Sequence, residues 1–367
     1  MGNIHKLSAA VAAISFAAAA SAAHANEVRV YNWSDYISPE TLEKFTERTG
    51  IDVIYDVYDG NEILDAALLA GRSGYDVVVP SNHFFTRQLS AGVYQAMDHS
   101  LLSNLDNLDP ELMANLESID GDSEYSVPYM WGTNGIGYNV ERIEEILGDH
   151  APTDSWALVF DPDITHQLKA AGCGISLMDS GVEMLPAALL YLGLDPQSIE
   201  SADLEAAGVV ISDVRDDITY FHSSRYISDL ANGDICVAAG YSGDIFQAAE
   251  RAEDAGRDFS IAYSIPKEGA ELWFDLMAIP ADAPNTENAH AFINFILEPE
   301  IAAEITDYVR YANPNSAANA YLPDEILQDQ AIYPGAEVMQ NLFVPLEKPQ
   351  SAQRVLTRTW NRVKSGR

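Results

Sequence analysis

The sequence predicts an α/β protein with two domains, and two observations lead to this prediction. Near the N-terminus, apolar residues alternate as in a strand and then recur with helical spacing, with short connections between the two patterns. This order is typical of a parallel sheet covered by helices. The chain of 367 residues also exceeds what one hydrophobic core usually holds, which favours two domains.

The elements of the first sheet can be placed one by one. Alternation from Glu27 to Tyr31 predicts a strand, and Ser38 followed by Pro39 predicts the start of a helix that ends at Gly50. A second strand (51–57), a helix (61–69) and a short apolar strand (75–80) follow. In a parallel sheet, ligands bind beyond the carboxyl ends of the strands. Trp33-Ser34-Asp35-Tyr36 and Ser81 stand at such ends, so we expect a binding surface there.

The segment PYMWGTNGIGYN (128–139), rich in Gly and aromatic residues, predicts a crossing between the two domains. Further strand and helix patterns occupy 174–240, a return crossing is expected near 243–247, and another strand is expected over 272–279. The last 60 or so residues have a mostly helical pattern.

The first 25 residues have the pattern of a signal peptide. Lys6 precedes an Ala-rich apolar run from Leu7 to Ala23, and Ala23-His24-Ala25 provides small residues for cleavage. An exported protein is therefore expected. A membrane anchor is the alternative, which is disfavoured because the run is short for a span. In an oxidising compartment, Cys173 and Cys236 are most simply one disulfide, the alternative being two buried thiols.

The formal net charge of −36 disfavours binding to nucleic acid or to anionic membranes. It suits a cationic ligand, a saline habitat or both. The eight His residues form no metal-ligand pattern, and the chain contains no phosphate-binding glycine loop. Gly240-Tyr241-Ser242-Gly243-Asp244 has its second glycine one position too early for a nucleophile elbow. Neither a catalytic residue, a cofactor nor a metal is predicted.

Aromatic residues recur beside carboxylates or hydroxyls at predicted strand ends. The instances are Trp33 to Tyr36, Tyr241 to Asp244, Trp273-Phe274-Asp275 and Tyr311, with Ser81 and Glu183 as further polar candidates. A buried ammonium group needs carboxylate partners, and aromatic rings can enclose an alkyl chain and attract the cation. The pattern therefore suits a linear diamine. Taken singly, Trp273 could belong to a core and Asp244 could cap a helix.

At these residues the chain resembles the periplasmic polyamine-binding proteins of ABC importers, most of all the putrescine-binding branch. The similarity runs along the whole mature chain through VYNWSDYI, YDVYDGNEIL, YDVVVPS, PYMWGTNGIGYN, YFHSSRYISDLANGDICVA, FSIAYSIPKEGA and YANPN. It implies a two-lobed, hinged binding protein of the type II class, located in the periplasm, monomeric, and delivering its ligand to an inner-membrane permease. It also implies discontinuous lobes, expected at 26–133 plus about 246–305 and at about 134–245 plus 306–367.

The resemblance also assigns roles to individual residues. Trp33, Ser34 and Tyr36, with Asp35 beside them, match the first binding loop, and Ser81 matches the polar residue after the third strand. Asp244 and Asp275 match the pair that grips one ammonium, while the other ammonium is expected near Glu183 and Ser81, bridged by water. Trp273 and Tyr311 match aromatic walls, and Cys173 and Cys236 match the family's disulfide.

Two positions depart from the pattern of putrescine binders. Tyr241 replaces a Trp, and His83 replaces a small hydroxyl residue, where it could add positive charge. Spermidine, agmatine and cadaverine therefore stay open as ligands. A secreted hydrolase using paired carboxylates, a signalling receptor and a ferric-iron receptor are competing hypotheses, although the last would need adjacent tyrosines that this chain does not have.

Overall fold

The computed structural model describes residues 26–366, so the expected signal peptide lies outside the described residues. The ten strands of this part of the chain are β1 Glu27–Trp33, β2 Asp52–Tyr58, β3 Val77–Val78, β4 Ser126–Asn139, β5 Ile175–Leu177, β6 Tyr220–Phe221, β7 Val237–Tyr241, β8 Ile261–Ser264, β9 Ala270–Ala278 and β10 Leu342–Phe343. The helices are α1 Pro39–Thr49, α2 Asn61–Leu69, α3 Asn82–Ser90, α4 Pro110–Asp120, α5 Val140–Leu147, α6 Ala157–Phe160, α7 Pro162–Ala170, α8 Gly181–Tyr191, α9 Ser201–Asp213, α10 Tyr226–Asn232, α11 Ser242–Asp254, α12 Thr286–Ile296, α13 Pro299–Val309, α14 Asp324–Leu327, α15 Ala336–Met339 and α16 Gln350–Ser365.

The sheet has the order β2-β1-β3-β9-β4-β7-β5-β6, with β8 beside β4 and β10 beside β9. The strands β2, β1 and β3 are parallel, and so are β7, β5 and β6 at the other end. Between these two groups, β9 and β4 run antiparallel to each other and to their neighbours β3 and β7. The fold is thus α/β with two parallel-stranded lobes, as the sequence predicts.

The long strand β4 connects the two lobes. Its first half, up to Thr133, pairs with β9, and its second half, from Asn134, pairs with β7 and β8. The predicted crossing over 128–139 is therefore present as one continuous strand. Gly135 stands near its midpoint, where an added Cβ would lie 2.5 Å from the carbonyl oxygen of Ser264, so only glycine allows β8 to approach this closely.

The hydrophobic cores belong to separate lobes. In the first lobe, one core contains Val30, Phe45 and Ile293, and another on the opposite sheet face contains Leu64, Phe274 and Ile326. In the second lobe, the main core is formed by side chains that include Trp156, Leu177, Leu185 and Trp360. A smaller cluster lies on the other face of its sheet and contains Tyr226, Ile245 and Ala248.

These cores favour lobe boundaries that differ from those predicted. The region 243–247 is not a crossing, because it starts helix α11, whose Ile245 and Ala248 pack in the second lobe. Val309, Ala318 and Ile332 pack in the first lobe, although residues after 306 were expected in the second. We therefore propose lobes of about 26–133 plus 265–345 and about 134–264 plus 346–366.

Local signals in the sequence explain the ends of several elements. The Ser38 hydroxyl accepts a hydrogen bond from the Thr41 amide (3.1 Å), and Gly50 ends α1 with a φ of 74°. Strand β3 is shorter than predicted, and the Asp76 carboxylate just before it accepts bonds from the amides of Arg29 (2.8 Å) and Asn285 (2.6 Å). Cys173 and Cys236 form the predicted disulfide, with Cα atoms 5.5 Å apart.

Across residues 26–366, no helix is both long and apolar enough to cross a membrane.

Candidate functional site

A cavity lies between the two lobes, at the carboxyl ends of several strands. Its empty space, counted together with the adjoining open solvent, is about 410 Å³. It is lined by Trp33, Ser34, Tyr36, Asp59, Ser81, Glu183, Ser223, Tyr241, Asp244, Trp273, Asp275 and Tyr311. Every site residue expected from the sequence is in this set except Asp35.

Asp275 provides a buried carboxylate on the first-lobe side of the cavity. It lies on β9 and is 3 % exposed. Its Oδ1 accepts a hydrogen bond from the Ser81 hydroxyl (2.6 Å), and its Oδ2 accepts one from the Tyr36 hydroxyl (2.8 Å). Ser81 therefore orients the Asp275 carboxylate, and its expected place near the second ammonium stays a prediction.

Asp244 provides the matching carboxylate from the second lobe. It lies in the first turn of α11, which fits the N-terminal helix position considered from the sequence, and it is 8 % exposed. The hydroxyls of Tyr311 and Tyr226 each donate to one of its oxygens at 2.7 Å. Tyr311 also accepts a bond from the Asp244 amide (3.1 Å), which fixes the carboxylate towards the first lobe.

Burial changes the proton affinity of both carboxylates. It raises the pKa of Asp244 and that of Asp275 to about 7, even though their hydroxyl donors act in the opposite direction. Hydroxyl groups supply hydrogen bonds without supplying charge. An ammonium group placed between these carboxylates would therefore bring positive charge that their hydroxyl donors do not provide.

Glu183 forms the third buried carboxylate of the cavity, on α8 of the second lobe. The Tyr241 hydroxyl donates to both of its oxygens (2.9 and 3.2 Å). Burial raises the pKa of Glu183 to about 7. The Tyr241 hydroxyl thus orients the Glu183 carboxylate in the cavity.

Aromatic rings connect the carboxylates along the cavity wall. Successive ring centroids lie 6.1 Å apart between Trp33 and Tyr241, 5.9 Å between Tyr241 and Trp273, and 5.3 Å between Trp273 and Tyr311. The indole N–H groups are bonded away from the cavity, that of Trp33 to the Val79 carbonyl (3.0 Å) and that of Trp273 to Asn134 (3.0 Å). The rings are thus held in place, and the wall between the carboxylates is apolar.

Asp35 is placed outside the cavity. Its backbone has a φ of 54°, a left-handed conformation that Asp tolerates better than most residues. Its carboxylate pairs with Arg251 of α11 (2.7 Å), and both side chains are about 40 % exposed. The Asp35 carboxylate therefore joins the first lobe to the second and does not line the cavity.

The sequence interpretation missed two lining residues, Asp59 and Ser223. Asp59 follows β2 and Ser223 closely follows β6, so both obey the strand-end rule that found Trp33 and Ser81. The Asp59 carboxylate lies 3.8 Å from the His222 ring nitrogen across the cleft. Applying the same rule to every parallel strand would have found both.

His83 does not add the positive charge that its position suggested. Burial, followed by the charge of Arg87, lowers its pKa to about 3, so the ring is neutral at physiological pH. It lies beside a neighbouring cavity with Arg87 and Lys348, and it is not among the side chains that line the aromatic cavity.

In the described part of the chain, no group of three or more His, Cys, Asp or Glu side chains is placed to hold a metal ion.

Two lobes that close on an aromatic cavity containing buried carboxylates define a binding protein for a small cationic solute. The chain belongs to the family of bacterial extracellular solute-binding proteins, whose sequence profile matches residues 40–334.

Individual relatives share this similarity along nearly the whole chain. The putrescine-binding periplasmic protein SpuD of Pseudomonas aeruginosa is 54 % identical over 353 residues, which cover 96 % of each chain. The putrescine-binding periplasmic protein PotF of Escherichia coli is 46 % identical, covering 94 % of this chain and 93 % of PotF.

Solved structures are also similar. A putative spermidine/putrescine ABC transporter protein of Listeria monocytogenes superposes with a TM-score of 0.82 at 34 % identity, covering 93 % of this chain and all of that chain. These relatives are binding components of transport systems, so the prediction that the chain is not an enzyme is confirmed.

Proposed function

We propose that this protein captures a linear polyamine, with putrescine the favoured ligand, in the periplasm and delivers it to an ABC permease in the inner membrane. We further propose that it acts as a monomer and binds no nucleic acid, which its formal charge of −36 opposes. A related cation such as cadaverine, agmatine or spermidine is the alternative within the same class.

One observation carries the proposal: among residues 26–366, the side chains that donate to two buried carboxylates from opposite lobes are all neutral hydroxyls. Asp244 and Asp275 would hold one ammonium between them, and that contact requires both lobes to be close together. The other ammonium would lie near Glu183, with the methylene chain against Trp33 and Trp273. Ring faces add about 0.5 to 2 kcal/mol of attraction for a desolvated cation.

The relatives support the choice of a diamine. SpuD and PotF are both named as putrescine-binding periplasmic proteins, and other relatives are named for putrescine with agmatine, cadaverine or spermidine. Every one of these ligands carries at least two positive charges on an alkyl chain. The carboxylates and aromatic walls of the cavity suit that common chemistry.

Calorimetric titration tests the proposal. The protein is unfolded to remove any bound amine, refolded, and titrated with putrescine, cadaverine, agmatine and spermidine at two salt concentrations. We expect one-to-one binding of putrescine with a micromolar or lower Kd. If none of the four amines binds to the refolded protein, the proposed function is wrong.

A further inference from the structure

Glu271 is a fourth buried carboxylate close to the cavity, and it is not among the residues that line it. It lies on β9 and is 3 % exposed, although its carboxylate would normally be hydrated. Among residues 26–366, no side chain or backbone group donates a hydrogen bond to either of its oxygens. Such a group is costly to bury unless a proton or a cation accompanies it.

The orientation of Glu271 follows from the alternation of side chains along β9. Leu272, Phe274 and Leu276 pack together in the outer core of the first lobe. Residues two apart on a strand share a face, so Glu271 lies on the same face as Trp273 and Asp275. Since both of those residues line the cavity, Glu271 points along the same wall.

The charges that act on Glu271 are those of Glu183, Lys348 and Asp275. Burial, followed by the repulsion from Glu183, raises the pKa of Glu271 well above its usual value. Lys348 is the cation whose charge lowers the pKa of Glu271. Its ammonium donates to the Ser198 carbonyl (3.2 Å) and forms no ion pair with Glu271 within the described residues.

The spacing along β9 indicates what could reach Glu271. Asp275 is four residue steps further along the strand, which corresponds to about 13 Å at a rise near 3.3 Å per residue. With bonds of about 1.5 Å, an extended four-carbon diamine measures on the order of 6 Å between its nitrogens. By the same reckoning, a triamine with an added three-carbon arm measures on the order of 11 Å.

We propose that Glu271 extends the polyamine site so that it holds the third charge of a linear triamine. One terminal ammonium would lie between Asp244 and Asp275, the central one near Glu183, and the other terminal one at Glu271. This inference rests on the proposed function and adds a residue that sets the preference between diamines and triamines.

The test compares spermidine with spermidine acetylated on its three-carbon arm, which has the same backbone but no charge at that end. Both are titrated calorimetrically into the refolded protein and into the Glu271→Gln variant, with putrescine as a reference. In the unmodified protein we expect acetylation to weaken binding at least tenfold. In Glu271→Gln the same acetylation should weaken binding less than threefold, and the Kd for putrescine should change less than threefold.

A matched control is Glu347→Gln, which removes an exposed carboxylate next to Lys348 and should leave the tenfold effect of acetylation intact. An equal loss on acetylation in the Glu271→Gln and unmodified proteins would overturn the inference. If Glu271→Gln does not fold, the unmodified protein still decides, because equal affinity for both triamines excludes a charge contact at that end. If putrescine binds but acetylation of spermidine has no effect, this inference alone is contradicted. If no amine binds at all, the proposed function is contradicted.

Discussion

The hydroxyl of Tyr311 in the first lobe donates a 2.7 Å hydrogen bond to Asp244 in the second lobe. Tyr36 packs edge-on against Tyr311, with ring centroids 5.2 Å apart, and donates to Asp275. The two carboxylates are thus positioned by neighbouring tyrosines that belong to one lobe. The bond between Tyr311 and Asp244 thus joins the two lobes at the candidate cation site.

The first prediction concerns Asp244. Replacing Asp244 with Asn should weaken putrescine binding by about 2 to 5 kcal/mol, because one partner of a desolvated charge pair is lost. The exposed Asp163 on the second lobe provides the control, since Asp163→Asn removes the same charge far from the cavity. Calorimetry of both variants decides the matter: an unchanged Kd in Asp244→Asn would show that this carboxylate does not contact the ligand.

The second prediction concerns the hydroxyl of Tyr241. In Tyr241→Phe, Glu183 loses its bond to that hydroxyl, and diamine affinity should fall by about 1 kcal/mol. Tyr263→Phe is a suitable control, because the Tyr263 hydroxyl bonds to Thr133 outside the cavity. Equal Kd values for these two variants, measured with putrescine, would mean that Glu183 does not depend on Tyr241 for ligand binding.

Much of the candidate site was predictable because it follows a rule that acts locally. Trp33, Ser81 and Tyr241 stand at the carboxyl ends of parallel strands, and the position of a strand can be found from alternation over a few residues. Asp59 and Ser223 obey the same rule and could have been predicted with it. The ends of α1 were equally predictable, since Ser38 and Gly50 cap the helix to which they belong.

Other features depend on contacts between distant parts of the chain. Tyr36 and Asp275 are 239 positions apart, and only the order of strands in the sheet brings them together. Gly243 was expected at a crossing between the lobes, but it allows Tyr311 to approach, since an added Cβ would lie 2.5 Å from that ring. The burial of Glu271 likewise arises from the packing of whole elements, so alternation along β9 alone could not identify it.

The third prediction concerns pH and ligand binding. The pKa values of Asp244, Asp275 and Glu183 are raised to about 7, so part of this carboxyl set carries protons at neutral pH without ligand. A bound diamine stabilises the ionised forms, so binding should release protons and strengthen as pH rises from 6 to 8. Titrations in buffers of different ionisation enthalpy measure that release. A double variant with Asp244→Asn and Asp275→Asn should release fewer protons, and an undiminished release would contradict the assignment.

The same pKa shifts predict how the stability of the ligand-free protein varies with pH. Asp244 has an ordinary pKa of 3.8 when unfolded and about 7 when folded, so the folded state binds the proton more tightly. The free energy of unfolding should therefore fall as pH rises from about 4 to about 7 through this group and its two companions. Thermal unfolding without amine should show the fall, and saturating putrescine should reduce it. If the Tm of the amine-free protein rose with pH across this window because of these groups, the predicted direction would be wrong.

The last prediction concerns the disulfide of the second lobe. Cys173 precedes β5 and Cys236 precedes β7, so the bond ties two neighbouring parallel strands across 63 positions of chain. Replacing both cysteines with Ser should lower the free energy of unfolding by about 4 kcal/mol on the chain-entropy model. Urea denaturation of the oxidised protein and the double variant measures the difference.

Because neither cysteine lines the cavity, putrescine affinity of the folded variant should stay within about threefold, a change of less than about 0.7 kcal/mol. A loss of affinity much larger than this in a folded variant would mean that the bond also positions the site.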